Sequence, residues 1–148
     1  MSMFLGIDTS ASGMTAERLR MDVISNNIAN ANTTRTAKGS AYHRRYVIFE
    51  PRSKNGQAFE NYLDSSLNKF TAGSGVRAVA IRENTEQGPL VYDPGHPDAN
   101  QDGYVERPNV NIVAEMVDMI TASRAYEANV TSLQSAKAMI NRTLDLAK

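Results

Sequence analysis

Apolar side chains recur at helical spacing near both ends of this chain and at strand spacing between them. Written as heptads from Ile7, the first stretch places Ile7, Met14, Met21 and Ile28 at one seam position and Ile24 and Ala31 at the other, while Ser10 and Glu17 interrupt the early turns. A second stripe, Ala16, Leu19 and Val23, lies on a different face and continues as Asn26 and Asn30. The closing stretch is more regular. Ile112, Met119, Tyr126, Leu133, Ile140 and Ala147 stand seven apart, and four residues after the first five come Met116, Ser123, Val130, Lys137 and Leu144. No Gly or Pro interrupts residues 111–147, Asn111 is a candidate N-cap, and Glu115 and Asp118 lie near the positive end of the helix dipole. At 1.5 Å per residue such a helix is roughly 55 Å long, more than a domain of this size folds around. Small residues such as Ala122, Ala125, Ala128 and Ala136 let other backbones approach it on several sides.

The texture between the helices is different. Residues 44–50, "RRYVIFE", and 75–83, "GVRAVAIRE", are rich in β-formers and predict two strands, with the flexible "TAGSG" before the second. "GPLVYDP" (88–94) predicts a third, and the glycines and prolines from Gly88 to Pro108 mark turns and an irregular connection. The expected fold is therefore α+β. Long N- and C-terminal helices (1–36 and 108–148) form a coiled-coil-like α domain, with a β-rich insert and connector (37–107) between them.

Charge and composition narrow the chemistry. Sixteen basic residues balance sixteen acidic ones in 148, so no net field draws the chain to nucleic acid or anionic lipid, and with no cysteine it has neither disulfides nor thiolate chemistry. The opening "MSMFLGIDTS" has no basic n-region and its apolar run stops at Asp8, too short for a secretory signal or a membrane span; taken alone, this predicts a cytoplasmic protein. His43 and His96 are far apart in sequence, without ligand-spaced carboxylates, and no nucleophile elbow or phosphate loop is present. Neither a catalytic centre nor a cofactor is expected. "DANQDGYVERPN" (98–109) places Asp98, Asn100, Asp102 and Gly103 as in a calcium-binding EF-hand loop, but Asn109 stands where the bidentate glutamate belongs. An Asx-rich turn is the simpler reading, and a soluble calcium-binding adaptor is the alternative function. "YHRRY" (42–46) could stack bases, yet alternation explains it as a solvated strand with Tyr42, Arg44 and Tyr46 on one face.

The asparagines in "ISNNIANANTTRT" (24–36) fit the bland readings least. Asn32, ahead of two threonines, is a candidate helix C-cap, but four asparagines exceed what a cap requires. In the register set by Met21, Asn26, Asn27, Asn30 and Asn32 fall off the seam and are expected to point away from the partner helix. An amide both donates and accepts, which suits uncharged bonding between neighbouring molecules.

That stretch resembles the N-terminal signature of bacterial flagellar axial proteins: serine, paired asparagines, an apolar residue, Ala-Asn, then Asn-Thr. "VYDPGHPDANQDGYVERPNVNIVAEMVDMITASRAYEANV" (91–130) is similar to a stretch of the flagellar basal-body rod family, most like its proximal-rod members. The resemblance implies a structural rod subunit with no enzymatic activity and no cofactor, part of the drive shaft crossing the cell envelope. It also implies export through the flagellar type III apparatus without a cleavable signal, which would replace the cytoplasmic expectation. The implied partners are further copies of the chain, other proximal and distal rod subunits, the adaptor between rod and export gate, and the export apparatus. Nucleic acid and a direct membrane span are not implied. The seam of Ile7, Met14, Met21, Ile24 and Ile28 against Ile112, Met116, Met119, Tyr126, Val130, Leu133, Ile140 and Leu144 would form the assembly interface, with the four asparagines bonding between subunits.

Overall fold

A computed structural model describes residues 3–52 and 75–146. Its order is a helix α1 (Met3–Ala29), strands β1 (Arg45–Pro51), β2 (Val76–Glu83), β3 (Leu90–Tyr92) and β4 (Tyr104–Glu106), and a second helix α2 (Ile112–Leu146). This is an α+β chain, with long helices towards both ends and small antiparallel sheets between them. Ala147, the last step of the α2 stripe, and most of "TAGSG" lie outside the described residues.

The helices run antiparallel. Ser10 reaches Ser132, Arg20 lies against Asp118 and Asn27 bonds Glu115, so the end of α1 sits beside the start of α2. With 27 and 35 residues they are roughly 40 and 52 Å long, which leaves the last turns of α2 reaching past the start of α1. Gly13 permits the close crossing, because a Cβ there would stand 2.9 Å from the Asn129 amide. Asn111 caps α2 through its side-chain oxygen, which accepts from the Val113 and Ala114 N–H groups at 3.0 and 3.2 Å.

β1 and β2 form an antiparallel ribbon from Arg45↔Glu83 to Pro51↔Val76, with a bulge that leaves Val79 without a partner in the register. The ribbon lies along α1: Arg45 is tied to Asn27 near the helix end, and the Val76 N–H donates to Ser12 Oγ at 3.1 Å nearer its start. Val23 and Ile24 line a groove with Tyr46, Val47 and Phe49 of β1, so α1 carries two working faces, one toward the ribbon and one toward α2.

The region expected to be an irregular connection contains a second ribbon. β3 and β4 pair as Leu90↔Glu106, Val91↔Val105 and Tyr92↔Tyr104, with the tyrosine rings edge to face at 5.2 Å. Gly103, at φ +79°, closes the turn by accepting from the Asp93 N–H through its carbonyl. In the loop, Asn100 Oδ1 accepts from the Asp102 and Tyr104 N–H groups, an Asx arrangement. Asp98 accepts from Thr34 Oγ1 and pairs with Arg35, while Asn109 bonds the backbone of Arg44, Asn84 and Glu86. Asp98 thus fixes this ribbon to the turn after α1, Asn100 holds its own turn, and Asn109 ties the approach to α2 to the residues just before β1 and just after β2.

Seven apolar side chains are buried among the described residues: Ala16, Val23, Ile24, Ala41, Tyr42, Val105 and Ala122. Sixteen large apolar ones are exposed, a ratio reversed from that of a self-sufficient domain.

Candidate assembly interface

The structure divides the predicted seam. On α1 only Ile24 is buried, and Ile7, Met14, Met21 and Ile28 are half-buried. The supposed second stripe supplies more of the core, through Ala16 and Val23. On α2, Met119, Tyr126, Val130, Leu133 and Ile140 are half-buried, whereas Ile112, Met116 and Leu144 are exposed. The partner positions in the contact are those three residues along the stripe, not four: Glu115 and Ala122 are fully buried, Asn129 packs on Gly13, and Ala136 is half-buried. Hydrophobicity alone hid this, since the flank in use carries a carboxylate, an amide and two alanines.

A buried carboxylate needs compensation, and the turn before β1 supplies it. Arg44 pairs through Nε with Glu115 Oε1 and through Nη2 with Asp118 Oδ2 at 3.1 Å, and Arg20 approaches the other oxygen of Asp118 at 3.7 Å. Glu115 Oε2 accepts from Asn27 Nδ2 at 2.9 Å. The expected placement of Asn27 is therefore corrected: it faces the partner helix and is fully buried. Its amide also donates to the Arg45 carbonyl at 2.8 Å, and its oxygen accepts from the Arg45 N–H at 2.9 Å and from Tyr42 Oη at 3.0 Å. Two donors and two acceptors are all in use, something no other side chain of this size provides.

Tyr42 and Arg44 also depart from expectation. They precede the strand and Tyr42 is buried, so of the three residues expected on one strand face Tyr46 alone lies in β1, where it is exposed. Burial pushes the Tyr42 phenol up from its usual pKa; the nearby Arg45 guanidinium opposes that, and the Glu83 and Glu115 carboxylates add to it. The hydrogen bond from Arg45, with Lys38 beside it, holds the exposed Glu83 carboxyl below its ordinary range.

The remaining asparagines form the end of α1. Asn30 Nδ2 donates to the Asn26 carbonyl and side chain at 2.9 and 3.1 Å, and Asn30 Oδ1 accepts from Thr33 Oγ1 at 3.2 Å. Asn26 Oδ1 also receives Tyr42 Oη at 3.2 Å. Asn26 and Asn32 are exposed, and Asn32 lies beyond the last helical residue. Asn27 belongs to the fold, whereas Asn26, Asn30 and Asn32 edge its surface.

Val113, Met116, Val117 and Ile120 form a strip on the outer side of α2, between 54 % and 71 % exposed. Three of them, Val113, Val117 and Ile120, fall outside the heptad seam, so a seven-residue repeat does not reveal them. Their spacing of one, three and four residues is itself a helical stripe. Fully covering such side chains contributes on the order of 1.5–3 kcal/mol each. Among the described residues no helix is long and apolar enough to cross a membrane, and no group of three or more His, Asp or Glu is arranged to hold a metal ion.

Both helices match family models: residues 7–35 that of "Flagella basal body rod protein", and residues 101–146 that of "Flagellar basal body rod FlgEFG protein C-terminal". Similar full-length relatives include the flagellar basal-body rod protein FlgC of Borreliella burgdorferi, 48 % identical with 97 % of each chain covered. That of Bacillus subtilis is 40 % identical over the whole of both chains, and that of Salmonella typhimurium is 34 % identical over 95 % of each. With such identity across both helices and the ribbons between them, the chain belongs to the flagellar basal-body rod protein FlgC family.

Proposed function

We propose that this chain is a structural subunit of the bacterial flagellar basal-body rod. It polymerises through its terminal helices into the proximal part of the drive shaft and the wall of the export channel, and it carries out no enzymatic reaction. Supporting partners are further copies of the chain, other proximal and distal rod subunits, the adaptor at the export gate, and the type III export apparatus that delivers it. Its place is the rod within the cell envelope.

The observation that carries this reading is the bare strip of Val113, Met116, Val117 and Ile120 on a helix whose other side is already occupied. One copy leaves this surface to water, and a lattice of copies covers it. Ile112, Met116 and Leu144, with the half-buried Ile7, Met14, Met21 and Ile28, extend the apolar surface open to neighbours, and Asn26, Asn30 and Asn32 edge it with amides. The loop of the calcium-adaptor reading serves the fold instead: Asp98 holds Thr34 and Arg35, and Asn100 holds its own turn.

Val117→Asp tests the proposal. Val117 is 59 % exposed, so the purified variant should keep its thermal midpoint within about 2 °C of the parent, a surface effect. Cells carrying it should be non-motile, with basal bodies lacking a completed rod. Normal motility and intact rods would refute the assignment of this strip to assembly.

A further inference from the structure

Helix α2 has two flanks that could meet α1, and polar residues select between them. Beside the stripe of Met119, Tyr126, Leu133 and Ile140, one flank carries Glu115, Ala122, Asn129 and Ala136, and the other carries Met116, Ser123, Val130 and Lys137. The flanks are one residue step apart, about 100° around the helix, so exchanging one for the other rolls α2 by about 50°. Apolar burial at the start of α2 favours the second flank, which would cover Ile112 and Met116 and return a carboxylate to water. The chain uses the first: Glu115 has no exposed surface, Ile112 is 42 % exposed and Met116 is 55 % exposed.

Three side chains oppose the roll. Asn27 Nδ2 reaches Glu115 Oε2 across the helix pair at 2.9 Å, and the Asn27 amide is itself held at Arg45 and Tyr42. Arg44 grips Glu115 and, one turn on, Asp118 at 3.1 Å. A side chain about 5 Å from the helix axis moves by about 4 Å in a 50° roll, which breaks the bonds to Glu115 and Asp118 and leaves one N–H of the buried Asn27 amide and the Arg44 guanidinium without their partners. The geometry points to a rotation pin: the Asn27–Glu115–Arg44 cluster holds α2 rolled so that Ile112 and Met116 face outward. On the reading of the chain as a rod subunit, the pin keeps Met116 in the strip offered to neighbours. The roll itself does not rest on that reading and is measurable in the lone chain.

Because the chain has no cysteine, engineered thiols report on it cleanly. Ser10 Oγ and Ser132 Oγ lie 3.2 Å apart, so the full-length Ser10→Cys, Ser132→Cys variant should close a disulfide readily in the present roll. Adding Asn27→Leu, Arg44→Met and Glu115→Met is expected to slow that closure at least tenfold. In a separate background, the same three changes should slow thiol labelling of Met116→Cys about tenfold, with the helical circular-dichroism signal kept. A helical triple variant that keeps both rates overturns the pin. Should the triple variant lose its helical signal, two changes of equal size decide. Glu115→Gln keeps one acceptor oxygen for Asn27 but sets an N–H group against Arg44, which still holds Asp118, so it should slow the Ser10→Cys, Ser132→Cys closure by no more than about threefold, while Glu115→Met should lose tenfold. Equal rates for Gln and Met overturn the proposal.

Discussion

Where α1 ends, beside the start of α2, the two helices share an amide with its full complement of hydrogen bonds, two carboxylates and two guanidinium groups. Where α1 begins, a hydroxyl pair at 3.2 Å crosses between helices that are otherwise lined there by half-buried Ile7, Leu133, Ala136 and Ile140. The first end is closed on itself, because its two fully buried polar side chains, Asn27 and Glu115, find their partners within one chain. The second is left open. Beyond it α2 runs on with Met139, Leu144 and Leu146 at 60 % exposure or more. One molecule thus combines a finished joint, which fixes how the helices and the β1–β2 ribbon meet, with an open end and a bare strip that suit completion by neighbours.

Glu115→Ala attacks the finished joint most directly. It strands Asn27 Nδ2 and deprives Arg44 of its buried partner, though Arg44 is about one-third exposed and keeps Asp118. Breaking a buried pair costs roughly 3–5 kcal/mol, and the partial exposure puts the expectation at about 3. Urea denaturation of the isolated chain measures it. A loss under about 1 kcal/mol would show that the joint is ornamental and that the ends do not differ.

A smaller effect comes from Tyr42, whose hydroxyl is shared between Asn26 and Asn27. Burial raises its pKa in the folded chain above the unfolded value near 10. The folded state therefore holds the phenolic proton more tightly. Its contribution is complete below about pH 10 and is lost as pH rises from there through the folded pKa. Tyr42→Phe should cost about 1 kcal/mol at neutral pH, one net hydrogen bond. It should also flatten part of the fall in stability measured above pH 10. An unchanged alkaline slope in the Phe variant would mean that Tyr42 opens to water before it titrates.

How much of this could be read in the sequence follows the same division. The two helices were legible because apolar residues repeat every seven positions, and β1, β2 and β3 because β-formers cluster between turn residues. β4 was not, because three residues are too few for alternation to register, and "DANQDG" drew attention to its side chains instead of to Tyr104–Glu106 beyond it. The rotation of α2 was invisible to a rule that counts hydrophobes, since Glu115, Ala122 and Asn129 score poorly on it. Asn27 was misplaced for a related reason: its role depends on Arg45 and Glu115, which lie 18 and 88 residues away. The useful signal was present but unread. Glu115 shares its face with Ala122, Asn129 and Ala136 at steps of seven, and the adjacent Arg44 and Arg45 follow the turn after α1, a combination that suits a carboxylate buried and paired.

The smallest effect is the one that separates the two ends most cleanly. Ser132→Ala removes the hydroxyl that Ser10 Oγ reaches, at a position on α2 that is itself exposed. Ser10 is buried, so losing its partner would ordinarily carry a penalty of about 1 kcal/mol. Two things reduce it. Alanine is the better helix former by a few tenths of a kcal/mol, and the surface at Ser132 lets water take the place of the lost hydroxyl. The expected change is under about 0.5 kcal/mol, with faster amide exchange confined to the first turns of α1 and the facing turns of α2. If Ser132→Ala instead unfolds the pair as severely as Glu115→Ala, the open end is as tightly coupled to the fold as the closed one. Neighbouring subunits would then meet a helix pair already fixed along its whole length.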